Sequence, residues 1–94
     1  MNIQHLFKGH TGKFYIAEHG ENIAEMIYKM EDDKTMVIVH TEVREEMEDN
    51  GIGLKLVDEA ANYARKNLNK LKATCSFAKS VLEKNDSYKD VYVA

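Results

Sequence analysis

The chain has no proline, one cysteine, five glycines and no long apolar run in its 94 residues. A single cysteine, Cys75, excludes an intrachain disulfide. Met1-Asn2-Ile3-Gln4-His5 lacks the basic and apolar regions of an export signal, so the cytoplasm is the expected compartment. The missing proline removes one class of turn and helix-stop signal. No apolar stretch approaches the ~20 residues that cross a bilayer, so no membrane partner is expected. Thirteen Lys and Arg stand against sixteen Asp and Glu, and the basic residues are scattered, among them Lys13, Lys29, Lys34, Lys70 and Lys72. That balance disfavours a nucleic-acid partner. The length suits one domain, residues 1–94, with a single core and no separate substrate domain.

What is present reads as an α+β chain. Phe14-Tyr15-Ile16-Ala17 is β-prone, His19-Gly20-Glu21-Asn22 is a turn, and Ile23 to Met30 partly alternates, which predicts a hairpin. After the polar turn Glu31-Asp32-Asp33-Lys34, the run Met36-Val37-Ile38-Val39 is the most apolar and is expected to be the central strand. Three antiparallel strands therefore come first. Ile52, Leu56, Ala60, Tyr63 and Ala64 then recur at helical spacing, predicting a helix from about Gly51 to Asn67. Asn67-Leu68-Asn69 closes it, with Asn as the left-handed cap. Leu71 to Cys75 reads as a strand, and Ser76 as the N-cap of a second helix from Phe77 to about Lys84. Phe77, Ala78, Val81 and Leu82 make that helix's apolar face, and Val91-Tyr92-Val93 is a last short strand.

The chemistry concentrates at two junctions. Glu48-Asp49-Asn50-Gly51-Ile52-Gly53 lies where a strand passes into the long helix. Two glycines at such a junction let backbone amides turn to one point, and the helix start adds about half a positive charge. The pair suits an anion such as a phosphate, or is an ordinary turn and cap. No third glycine follows for a dinucleotide fingerprint, and no Gly-Lys-Ser/Thr for a Walker loop. The acidic run before the glycines is a solvated loop or a patch that attracts an amine. Cys75 stands where a strand ends and a helix begins. It is a small buried residue, or a thiolate favoured by the helix start and able to act as a nucleophile. His40, late in its strand, is structural or a base for an amine or for Cys75. His5, His10 and His19 lack metal spacing and read as surface residues, so no metal is expected. Tyr88 and Tyr92 read as packing residues, with a proton-donor role for Tyr88 the alternative.

This pattern resembles the GNAT-type N-acetyltransferase superfamily, which carries Arg/Gln-x-x-Gly-x-Gly/Ala between a strand and a helix. Here those positions are Glu48, Asp49, Asn50, Gly51, Ile52 and Gly53, and Glu48 departs from the Arg/Gln. The chain is most similar to a small cysteine-containing branch. The shared features are His40-Thr41-Glu42-Val43, the Gly-x-Gly helix, Cys75-Ser76-Phe77 running on to Leu82-Glu83-Lys84, and Asp86-Ser87-Tyr88-Lys89-Asp90-Val91.

The resemblance implies a GNAT-like, mainly antiparallel mixed sheet with two principal helices. It implies acetyl-CoA as cosubstrate and an acetyl group moved to an unidentified amine, small or on a protein. Asn50 to Gly53 would bind the pyrophosphate, with Lys55 adding charge. Thr41 and Val43 would lie along the pantetheine arm, Cys75 would sit near the thioester, and Ser76 and Phe77 would also contact the cofactor. His40 is the first candidate base. The tyrosine that many members carry seven residues after this strand is replaced by Leu82, which fits the branch's acetyl-cysteine route through Cys75. The alternative is a non-catalytic CoA-binding or protein-interaction module, and a monomer or weak dimer is expected.

Overall fold

The computed structural model describes residues 2–94, apart from the side chain of Asp49. Five strands form one sheet in the order of the chain: β1 (Gln4–Lys8), β2 (Thr11–Glu18), β3 (Glu21–Asp32), β4 (Thr35–Val43) and β5 (Lys70–Ala73). The first four are antiparallel, and β5 adds in parallel to β4. A parallel neighbour needs a crossover. Here it is a 3₁₀ turn, Glu45–Asn50, followed by α1 (Ile52–Lys66). A second helix, α2 (Ser76–Lys84), follows β5, and Tyr92 bridges back in parallel to Leu71. This is the expected mixed, mainly antiparallel sheet with two helices.

Both helices cover one face. Phe14, Ile16, Met26, Tyr28, Met36, Ile38 and Leu71 bury against Ile52, Leu56, Val57, Ala78 and Leu82 in a single core. Ala60, Ala61 and Ala64 are fully buried along α1, and their small side chains let that helix lie close on the sheet. Truncating Leu56 to Ala in such a core costs about 2–5 kcal/mol. Among the described residues, no helix covers the other face. It holds charge pairs such as Lys13–Glu25 and Lys72–Glu31 among half-buried apolar residues.

Several expectations are corrected. Four antiparallel strands come first, because Gln4–Lys8 forms an edge strand behind a tight turn at Gly9-His10. β4 is not the middle strand; β3 is, and it is buried along the same side. The residue that takes the left-handed conformation after α1 is Leu68 (φ 57°), not an asparagine; Asn67 instead donates its side chain to the Tyr63 carbonyl at 2.8 Å. The strand before α2 ends at Ala73, so Cys75 caps α2 and Ser76 is its first residue.

His5 is no surface residue. It stacks on Phe14 at 4.3 Å, meets Tyr63 edge-on at 4.6 Å, and its Nε2 is hydrogen-bonded to the Tyr28 hydroxyl at 2.6 Å. Burial holds the His5 pKa below its ordinary value, opposed by Glu59, and burial also raises Tyr28. His10 and His19 are exposed as expected.

Candidate functional site

The site begins where β4 and β5 part. Their pairing runs from Thr35↔Lys70 to Ile38↔Ala73 and stops. The amides of Thr74 and Cys75 both donate to the Ile38 carbonyl, at 2.9 and 3.3 Å. At the same point β4 bulges: Ile38 faces Tyr28 and His40 faces Ile27, leaving Val39 as an extra residue. A bulge bends its strand and shifts the alternation by one. Met36 and Ile38 therefore share the helix-covered face with Thr41 and Val43, which pair with the buried Met26 and Ala24. Beyond the fork, the side of β4 that faced β5 has no strand partner among the described residues.

Two helix starts converge on this fork. Gly51, at φ 70°, ends the 3₁₀ turn and begins α1, and this left-handed geometry is costly for any residue with a Cβ. The first turn closes with Lys55 N–H on the Gly51 carbonyl at 3.1 Å, so the amides ahead of it have no intrahelical partner. Gly53 is needed for a different reason. A Cβ there would lie 2.7 Å from the Phe77 ring, which rests on the first turn of α1. The second start is Cys75. Its thiol does not cap α2; it donates to Thr41 Oγ1 at 3.4 Å across the fork.

A cavity of about 580 Å³ opens between these elements. Thr41 and Val43 line it from β4, Glu48 and Gly51 from the turn, and Gly53 and Leu54 from α1. Phe77, Ser80, Val81, Lys84 and Asn85 line it from α2 and its end. An extended strand with free backbone groups, a helix start and an apolar wall suit a ligand with an amide-bearing arm and a phosphate at one end.

Of the residues singled out in the sequence, the structure gathers Thr41, Val43, Glu48, Gly51, Gly53 and Phe77 around the cavity. Cys75 stands beside it through Thr41. Ile52 is instead fully buried in the core. Asn50 turns its amide to Met47 Sδ at 3.9 Å. Lys55 lines a neighbouring groove with Asp58, Glu59 and Tyr88, and Ser76 is exposed. The Asp49 side chain lies outside the described residues. His40 faces away from Thr41, the partner of Cys75: it shares a face with Ile27 on the uncovered side and pairs with Glu42 at 3.2 Å. Tyr88 is buried, with its hydroxyl donating to Asp58 at 3.3 Å and its pKa raised by burial. Leu54, Ser80, Val81, Lys84 and Asn85 were not anticipated. The spacing of Phe77, Ser80/Val81 and Lys84 is one helix stripe, and it would have pointed to them once Phe77 was placed at the site.

Residues 13–91 match the family profile described as GCN5-related N-acetyl-transferase. An NMR structure from Staphylococcus aureus, described as GCN5-like and as a candidate N-acetyltransferase, is 39% identical with a TM-score of 0.79; the match covers 99% of this chain and 88% of that one. Tetrahymena GCN5 shares the fold at 14% identity and a TM-score of 0.66, covering 94% of this chain and 63% of that one. A ribosomal-protein-alanine N-acetyltransferase from Brucella melitensis biovar Abortus does so at 16% identity and 0.63, covering 79% and 61%. None of the curated proteins compared matches the chain.

Proposed function

The chain belongs to the GCN5-related N-acetyltransferase family and is an acetyl-CoA-using enzyme, and we propose that its cosubstrate occupies the cavity at the β4–β5 fork and passes the acetyl group to an amine through Cys75. The observation that carries the reading is the meeting of three features at one fork: the unpaired edge of β4, the start of α1 and the thiol at the start of α2. The α1 amides from Gly51 onward bind the pyrophosphate. The free backbone of Thr41 to Val43 pairs with the pantetheine amides, which brings the thioester towards Thr41 and Cys75. The Cys75 thiol stands at the start of α2, turned across the fork to Thr41.

In the first step the Cys75 sulfur–acetyl bond forms as the CoA sulfur–acetyl bond breaks, and the thiol proton passes to the CoA sulfur. In the second the amine nitrogen takes the acetyl group and Cys75 recovers a proton from it. His40 and Glu42 stand on the uncovered face. They serve this reaction as base only if the amine enters the fork from that face, opposite the cofactor. The acceptor is a small amine or a protein amine. The protein acts in the cytoplasm as a monomer or weak dimer and needs no metal.

The test is mass spectrometry after exposure to acetyl-CoA, with amine withheld and then added. A substoichiometric acetyl mass on the peptide bearing Cys75, discharged by amine, is the expected outcome. Cys75→Ala should still bind acetyl-CoA and lose transfer. If Cys75→Ala acetylates amines at an unchanged rate, transfer is direct and the thiol is a packing residue. Saturable binding with no acetyl product would mark a CoA-binding module.

A further inference from the structure

The charges lining the cofactor cavity are arranged the wrong way round for the motif that the chain resembles. Glu48 stands where the resemblance calls for Arg or Gln, and it lines the cavity. Coenzyme A carries a pyrophosphate and a 3′-phosphate, so a carboxylate at the mouth opposes it. The one cation among the described lining residues comes from the other wall: Lys84, in the last turn of α2. Lys84 joins no ion pair among the described residues. Its neighbour Glu83 accepts instead from the Tyr92 hydroxyl at 2.8 Å. Ser80 lies one turn earlier and half-buried on the same helix stripe, with a hydroxyl that can donate beside the ammonium. Lys55 lines not this cavity but the next groove, together with Asp58 and Glu59.

Resting on the cofactor reading above, we propose that Lys84, supported by Ser80, holds a phosphate of coenzyme A and supplies from α2 the contact that Glu48 cannot supply from the turn. The chain thus selects phosphorylated pantetheine donors over pantetheine alone by the α2 wall. An ammonium is a point charge on a flexible stem, suited to following a phosphate in an open cavity. The structural alternative is that Lys84 only complements the negative end of α2. That role would appear in the melting temperature without ligand, and not in ligand affinity.

The experiment is calorimetric binding of CoA and of dephospho-CoA to the parent protein, Lys84→Gln, Lys84→Glu, Ser80→Ala and Glu48→Gln, at low and high salt. Lys84→Glu should raise the CoA dissociation constant by about tenfold, and Lys84→Gln by less, as expected for loss of a charge-assisted contact. Glu48→Gln should lower it, and added salt should shrink both differences. An equal loss with both ligands places Lys84 on the pyrophosphate; a loss with CoA alone places it on the 3′-phosphate; either supports the proposal. Affinities within twofold of the parent for both Lys84 variants overturn it and leave the cofactor site standing. A parent protein that binds neither ligand overturns the cofactor reading, and this proposal with it.

Discussion

Helix α1 ends in two different worlds, and each contains an aromatic ring laid on a glycine. Towards its C-terminal half, Tyr63 joins His5, Phe14 and Tyr28, and the Tyr28 ring covers Gly12 so closely that a Cβ there would overlap it. At its first turn the Phe77 ring covers Gly53. The two places are ten residues apart on the helix, about 15 Å. Tyr28 is 1% exposed and hydrogen-bonded, while Phe77 is 43% exposed and forms a cavity wall. One packing device thus serves two purposes. Where the ring is locked on all sides it adds stability. Where one side of the ring faces a cavity it sets the shape of that cavity's wall.

The largest expected effect follows at the locked end. Gly12→Ala pushes its methyl into a ring that Phe14, His5 and Tyr63 hold in place. Overpacking of that kind costs about 1–3 kcal/mol, and the upper end is expected here. The check is the denaturant midpoint at neutral pH. A loss below about 0.5 kcal/mol, the range of ordinary surface changes, would mean that the Tyr28 ring is as free to move as Phe77.

Gly53→Ala should behave in the opposite sense. The Phe77 ring has room to swing, so stability should fall by less than about 1 kcal/mol, while the displaced ring enters the cavity. Affinity for acetyl-CoA should drop about tenfold, which is ~1.4 kcal/mol. Gly51→Ala separates strain from filling. Nothing lies within 4 Å of its Cβ position, but its φ of 70° is left-handed. Its cost is about 1–2 kcal/mol of stability without a clash. A Gly53→Ala protein with unchanged affinity would detach Phe77 from the cofactor.

Most of the architecture was legible because it rests on local pattern. The period of Ile52, Leu56, Ala60 and Ala64 gives α1, and the turn at His19-Gly20 gives the β2–β3 hairpin. The same pattern fails where a single residue breaks it. Simple alternation from Met36 and Ile38 would put Thr41 on the wrong face. Only the extra Val39, which is not marked by any glycine, turns Thr41 towards the cavity and His40 away from it. Edge strand β1 was missed because Gln4–Lys8 has no clean alternation; what fixes it is the stacking of His5 on Phe14 across the pair. Gly53 has a neighbour that the sequence does not announce. Its missing side chain makes room for Phe77, a contact between residues 24 apart in the chain (77 − 53) that no local pattern encodes.

The smallest effect should come from His5, and it tests the locked end from the side of charge. Desolvation lowers its pKa below the ordinary 6.5, and Glu59 offsets this only in part. Tyr28 and Tyr63 are the other titratable side chains against the ring, and burial raises the Tyr28 pKa. The unfolded chain therefore holds more protons than the folded one just below pH 6.5. By linkage, the stability tied to neutral His5 is fully present above about pH 6.5 and is lost as pH falls towards the folded value. A protonated ring could only donate from Nε2 to the Tyr28 hydroxyl, which fixes a hydrogen bond that the neutral ring can make in either direction. His5→Gln keeps a polar group beside that hydroxyl and does not titrate. Its denaturant midpoint, subtracted from that of the parent at a series of pH values between about 5 and 8, isolates His5 from His10, His19 and His40. The parent's advantage should shrink steadily on acidification. A difference that stays flat across the series would show that the ring is solvated enough to titrate as in the unfolded chain, and that the aromatic end is looser than its packing indicates.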